Sequence, residues 1–546
     1  MKNWRLLTFL ACIASIQLHA QSPENPLVAH IPADADKVYH INYTAIAAKL
    51  DLQSLVAVMP KSEKNQEMMS YIADPGKAGV DARFGMIIAQ SNVAKLDSPR
   101  YTTILIALSD SAKFIKFLRE ANAKKEKDKL VIHPGKPRAA VQGSTVYAWN
   151  DKMVAITTVK PPVFGVGQTN LMNPKPAGEA TLAKYLRSAT RRSVMSLTAI
   201  SKSTLAADAE FRAALTDDAD AHIYSRFGSG FGMMADLMRM TKAPVNQNFV
   251  TAMDNLKKLH MHSLGTIRFE NGKMSLRNRI FYDSLNGLDF GLRPINAGLV
   301  ERLPQGNLLG LFAVHFDPAA YLNIMTKMSG GMGLHTVDSM LSKTGLTTKD
   351  IFAAFKGDLL VAAIDNGATI PATDSTPVKP AKPGVFVVLT IADKAAFAKL
   401  DNLIHLTRDS AAAAADTSVK FRLHLAHTLR DDILVFGPSQ QATDSYANNT
   451  GHTSSRLLSE EVRSAPVALA LDVKAIGNYL QPMLAKAGPQ GGQAQIVFQL
   501  FDQIIFTSGQ MHGNEMDLLF EIKMADQQQN SLTTISKLIQ SMSQKK

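Results

Sequence analysis

The chain runs through one ground plan twice, and this repetition limits its fold more than any single motif does. Ile31-Pro32-Ala33-Asp34 leads through Tyr39-His40-Ile41-Asn42 into a helical pattern, and Leu303-Pro304-Gln305-Gly306 leads through Val314-His315-Phe316-Asp317 into another. In each copy three apolar runs end at a short polar residue that opens a helical pattern. The first copy places these junctions at Asn42, at Asp110 after Ile104–Leu108, and at Ser201 after Val194–Ile200. The second copy places them at Asp317, at Asp393 after Val385–Leu389, and at Asp472 after Val467–Leu471. Asp110, Phe114 and Lys116 share the spacing of Asp393, Phe397 and Lys399. Asn, Asp and Ser at such places accept hydrogen bonds from the unpaired amides of a helix's first turn, so these carboxylates are read as caps before catalysts.

Between the junctions lie hairpins. Phe84–Gln90 pairs with Tyr101–Leu108, and Asp358–Ile364 with Gly384–Ile391. Val146–Trp149 pairs with Met153–Thr157, and Leu423–Thr428 with Ile433–Phe436, with Asp151 and Asp432 in the turns. Long hairpins close the copies: His260–Phe269 with Lys273–Phe281 around Asn271-Gly272, and Ile504–Met511 with Glu515–Met524 around Gly513-Asn514. Short turns between strands imply antiparallel pairing with helices packed on it. The expected fold class is therefore α+β, internally duplicated, as two similar halves. A signal peptide over residues 1–20, a first copy over 21–296 and a second over 297–546 are the expected divisions.

Lys2 and Arg5, the apolar run Leu6–Ile16 and Leu18-His19-Ala20 before Gln21 have the order of a secretory signal cleaved after Ala20. The expected location is thus outside the cytoplasm, in the periplasm or cell envelope. Cys12 is the sole cysteine. A mature chain starting at Gln21 would hold no disulfide, thiolate metal site or thiol nucleophile. Read instead as a lipid-attachment cysteine, Cys12 follows a very short apolar run. The formal charge is +12, which becomes +10 when Lys2 and Arg5 are removed. That excess admits an anionic surface as a partner, and peripheral membrane association is one reading of it. Lys124-Lys125-Glu126-Lys127-Asp128-Lys129 is broken by acids and lacks aromatic interleaving, so nucleic acid is not expected as a partner.

Specific chemistry is hard to nominate. His260 and His262 are two apart and would share a strand face, but a third metal ligand is missing nearby, so no metal or other cofactor is expected. His40 and His315 occupy matching places two residues before Asn42 and Asp317, while His424 and His427 fit no ligand signature. Gly228-Ser229-Gly230-Phe231-Gly232 puts glycines directly against the serine and does not specify a nucleophile elbow. The strongest binding feature is a pair of Met- and Gly-rich segments, one with Met233, Met234 and Met238 and the other with Met328 and Met332. Flexible thioethers beside glycines make an adaptable apolar surface for a protein partner or apolar ligand.

Together with the signal, Ile31-Pro32-Ala33-Asp34-Ala35, the strand ending Ile41-Asn42, and Gly79-Val80-Asp81 before a strand resemble a Bacteroidota family of envelope proteins defined only as a domain of unknown function. That resemblance implies export and a duplicated scaffold without a catalytic residue. A non-enzymatic binding protein is the expected function. The alternative is a hydrolase acting on envelope material, with a histidine and a carboxylate brought together by the fold.

Overall fold

A computed structural model of the chain describes residues 25–50, 74–122, 131–133, 137–162, 179–198, 205–226, 261–282, 291–329, 338–370, 379–400 and 426–543, apart from short breaks within those ranges. The chain is α+β, with a large antiparallel sheet and packed helices, and it divides into two compact units. The first comprises Met1–Met233 with Ser263–Arg268, and the second Met234–His262 with Phe269–Lys546.

The first unit contains strands β1 (Ala35–Ile41), β2 (Met86–Ser91), β3 (Arg100–Ala107), β4 (Val131–His133), β5 (Arg138–Gln142), β6 (Thr145–Trp149), β7 (Met153–Lys160), β8 (Ala221–Arg226) and the centre of β9 (Met261–Glu270). Antiparallel pairing runs β8-β1-β2-β3-β7-β6-β5-β4. Its helices are α1 (Tyr43–Lys49), α2 (Ser111–Asn122), α3 (Glu179–Thr198) and α4 (Ala209–Ala214). One sheet face buries Val38, Ile87, Leu105 and Ala155 against Leu27, Ile31, Leu197 and Phe211. Ile31 of the opening motif is fully buried, and the neighbouring Asp34 receives two hydrogen bonds from the Arg192 guanidinium, of 2.5 and 2.8 Å. The motif is therefore an anchor between the strand entry and α3.

In the second unit lie β10 (Lys273–Tyr282), β11 (Asn307–His315), β12 (Phe355–Asp365), a small ribbon of β13 (Thr369–Ile370) and β14 (Lys379–Pro380), β15 (Gly384–Ile391), β16 (Ala426–Arg430), β17 (Ile433–Gly437), β18 (Val467–Asp472), β19 (Phe501–His512) and β20 (Glu515–Met524). The pairing is again antiparallel, in the order β10-β20-β19-β18-β11-β12-β15-β17-β16. Helices α5 (Pro318–Ser329), α6 (Gln440–Ala447), α7 (Val473–Leu484), α8 (Gly488–Leu500) and α9 (Ser531–Ser543) belong to this unit. Its core joins Leu311, Ala313, Leu360, Ala362, Val388, Ala468, Ala470 and Ile505 on one sheet face to Leu299, Leu303, Tyr446, Leu458 and Val462.

The expected caps form at five junctions. Asn42 accepts from Ala45, Asp110 from Ala112 and Lys113, Asp317 from Ala319 and Ala320, Asp393 from Ala395 and Ala396, and Asp472 from Ala475. The sixth is corrected. Val194–Thr198 is the last stretch of α3 rather than a strand, and Ser201 lies outside the described residues. Ala189, Ser193, Ser196 and Leu197 are buried at helical spacing, so packing of α3 on β6 and β7 overrides the strand preference of a short apolar run. All six hairpins pair as expected within the described residues; Gly272 and Gly513 take φ of 70° and 61° in the turns of the two long ones.

Candidate functional site

Antiparallel register in the second unit builds a second apolar face opposite the core. Because side chains alternate across a strand, every position flanking a core residue points away from that core. Cross-strand neighbours on this face form a row, Leu276–Phe520–Phe506–Leu469–Phe312–Val361–Val387, drawn from β10, β20, β19, β18, β11, β12 and β15. Beside it runs Met274–Ile522–Ile504–Leu471–Gly310–Ala363–Val385. The core face of the same strands is buried, whereas these two rows are only half-buried, and Phe312 is 37% exposed. Six strand spacings of about 4.8 Å give the row a length of roughly 29 Å.

The rows contain no charged or hydroxyl side chain, and Gly310 lowers the face at its middle. A Cβ on Gly310 would stand 2.9 Å from Leu471 Cδ2, so glycine permits the close approach there. Toward β17 the face is closed by Phe397, which packs with Leu389, Leu434 and Phe436. Helix α7 packs along β11 and β19, and its partner α8 seats Phe498 against Gly477. A face of this composition excludes water from hydrocarbon without fixing its orientation, and it offers a reacting group neither a nucleophile nor a proton donor.

The two histidines singled out by the sequence reach different surroundings. His40, on β1, faces His222 directly across β8, with Nδ1 atoms 3.1 Å apart and ring centroids 5.3 Å apart. Asn25 Nδ2 lies 3.2 Å from His40 Nε2 and donates to the Phe84 carbonyl at 2.7 Å. When Asn25 also donates to His40 Nε2, His40 carries its proton on Nδ1 and donates to His222, which leaves the proton of His222 on Nε2. That nitrogen is buried and closes no hydrogen bond, although the Asp217 backbone favours a proton on the ring. Burial, and then the neighbouring His40, pushes His222 down to about 4; burial also lowers His40, opposed by the Phe84 carbonyl.

His315, on β11, sits opposite Asp358 on β12, with Nδ1 2.8 Å from Oδ1. Thr390 donates to the other carboxylate oxygen at 3.1 Å and accepts from the Asp358 amide at 3.1 Å, while the Asn296 amide donates to Oδ1 at 3.3 Å. The aspartate thus orients the imidazole, as a general base would require, but among the described residues no hydroxyl or thiol joins the ring. Among the described residues no group of three or more His, Cys, Asp or Glu could hold a metal ion. His262 stacks on Phe281 at 4.9 Å, and His427 tilts against Phe436 at 5.9 Å. His260 and His424 lie outside the described residues.

Met233, Met234, Met238 and Met332 also lie outside the described residues, as do Gly228–Gly232 and Lys124–Lys129. Of Met328, only its place in α5 is described. The half-buried rows, His222 and Asp358 are the features that inspection of the sequence missed. An uninterrupted apolar stretch such as Leu308–Val314 does signal a strand covered on both faces. Cross-strand partners far apart in sequence leave no such signal.

No family model matches the chain, and no curated protein matches it. Among solved structures, crystal form III of TP0453 aligns at 8% identity and a TM-score of 0.23, covering 47% of this chain and 79% of that one. Crystal form IV aligns at 8% identity and a TM-score of 0.24, covering 48% and 83%. Likeness of that degree transfers neither fold nor function. Among the described residues no helix is long and apolar enough to cross a membrane.

Proposed function

We propose that the chain is a non-enzymatic, exported envelope protein that binds an apolar ligand with flexible hydrocarbon chains on the second sheet face of its second unit. The observation that carries this reading is the half-buried row from Leu276 to Val387, with Phe312 the most exposed of its central residues. Hydrocarbon fits better than a structured protein partner because the rows lack the Arg, Tyr, Trp and hydrogen-bonding groups that anchor protein interfaces. Export rests on the N-terminal order of charges and apolar residues, and kinship with the Bacteroidota envelope family rests on the short opening motifs.

Duplication of the scaffold is part of the same proposal. Its support is the order of pairing, β8-β1-β2-β3-β7-β6 in one unit and β18-β11-β12-β15-β17-β16 in the other. Further support comes from local detail. Phe114 and Phe397 are both buried four residues after a capping aspartate, and Gly85 and Gly357 both lie at positive φ against a carbonyl, that of Ile41 and that of Phe316 respectively. The hydrolase alternative requires a nucleophile beside His40 or His315, and among the described residues neither ring meets a hydroxyl or thiol.

Titration of the mature protein with a fluorescent fatty acid tests the reading. Wild type should bind, and Phe312→Ser should weaken binding about tenfold, the equivalent of losing roughly 1.4 kcal/mol of apolar contact. Absence of binding in the wild type, or equal binding by the variant, would refute the proposal. Changing Met233, Met234 and Met238 to Gln in parallel separates the sheet face from the Met-rich surface.

A further inference from the structure

Helix α3 turns one face to the core and another to solvent, and the outward face has an unusual composition. Ala189, Ser193, Ser196 and Leu197 are buried, while Lys184, Arg187, Ser188, Arg191, Met195 and Thr198 are exposed. At 100° per residue these six fall within one stripe, and the exposed Thr181 and Ala183 flank it. Glu179, at the start of the helix, is the only acidic residue in it.

The cations of α3 divide into two kinds. Arg192 points inward, where it binds the Asp34 carboxylate and lies over the Tyr101 ring at 5.2 Å. Lys184, Arg187 and Arg191 point outward, and no carboxylate among the described residues pairs with them. Tyr101 donates to Ser188 at 2.9 Å, and its chain neighbour Arg100 stands in register with the exposed Lys160. Two more cations therefore flank the residue on which the helix rests. Met195 is 52% exposed, the most exposed large apolar side chain described, and it continues the basic stripe.

We propose that α3 of the first unit is a docking surface for an anionic phospholipid bilayer, with Lys184, Arg187 and Arg191 meeting the headgroup phosphates and Met195 entering the headgroup–acyl boundary. The apolar side of α3 is committed to the core, so the helix lies on the membrane without embedding in it. Charge complementarity selects an anionic surface, and Met195 selects a bilayer over a soluble polyanion, which has no apolar layer to receive a thioether. The inference stands on α3 alone and does not depend on ligand binding by the second unit.

Sedimentation of the mature protein with vesicles tests it. Vesicles containing phosphatidylglycerol should bind it, vesicles of phosphatidylcholine alone should not, and binding should weaken steeply with salt. A cation near an anionic surface contributes about fivefold, so Lys184→Gln, Arg187→Gln and Arg191→Gln together should reduce binding on the order of 100-fold. Met195→Ser should reduce it further, and circular dichroism should be unchanged because all four side chains face solvent. Equal binding to both vesicle types, or an unchanged triple variant, overturns the proposal. Polyphosphate binding as tight as vesicle binding, unaffected by Met195→Ser, assigns the stripe to soluble polyanions and overturns the bilayer reading as well.

Discussion

The His40–His222 pair stores a pH dependence in two side chains. Both rings are buried, so each favours the neutral form in the folded chain, His222 the more strongly, whereas the unfolded chain protonates them near the ordinary imidazole value of 6.5. Between 6.5 and about 4 the unfolded state therefore binds more protons, and stability rises with pH through that window. Stability should be complete above 6.5 and fall by roughly 2–3 kcal/mol on acidification to about 4. Asp217 and Arg268 also face this site, with Asp217 favouring and Arg268 opposing a proton on His222. Urea denaturation across this range should give a flatter profile for His222→Phe than for wild type, and superimposable slopes would show that the pair does not set the dependence. His40 was visible in the sequence as half of a repeated position. Its partner was not, because the contact depends on the register between β1 and β8, which local pattern does not encode.

At the scale of elements, the junction caps carried most of what the sequence disclosed. Asn42, Asp110, Asp317, Asp393 and Asp472 announce their helices because an isolated oxygen-bearing residue after an apolar run leaves few other roles. They are not equal in consequence. Asp393 is exposed and among the described residues accepts from its two amides alone, whereas Asp472 is buried and also binds Arg456, which in turn holds Asp502. Asp393→Ala should cost about 1 kcal/mol, and Asp472→Ala roughly 2–3 kcal/mol because it also removes one of the two carboxylates that hold Arg456. Chemical denaturation giving equal losses would mean that the Arg456 contacts contribute nothing. The end of α3 departs from its local pattern for the opposite reason. A seven-residue apolar run from Val194 to Ile200 has the length of a strand, and only burial along α3 decides between the two periods.

For the whole molecule, the proposed export has a direct consequence. Protein purified from its own envelope fraction should have a mass that begins at Gln21, and a mass retaining residues 1–20, or a lipid on Cys12, would reject that cleavage. Antiparallel α+β architecture was legible because short turns join hairpin partners such as β6 and β7, β16 and β17, and β19 and β20. The apolar rows were not, since each strand supplies only two of their members.

That assembly from scattered pieces has a kinetic side. Neighbours such as Leu276 and Phe520, or Phe312 and Leu469, come from distant parts of the chain, so the row exists only once seven strands have found their register. Until then the same side chains are sticky, unpaired segments, and closing such long loops slows folding. Under the proposed export, a newly translocated chain would need shielding during that interval. Removing β10 or β20 from a shortened version would leave a ragged edge that invites aggregation, however intact the remaining core.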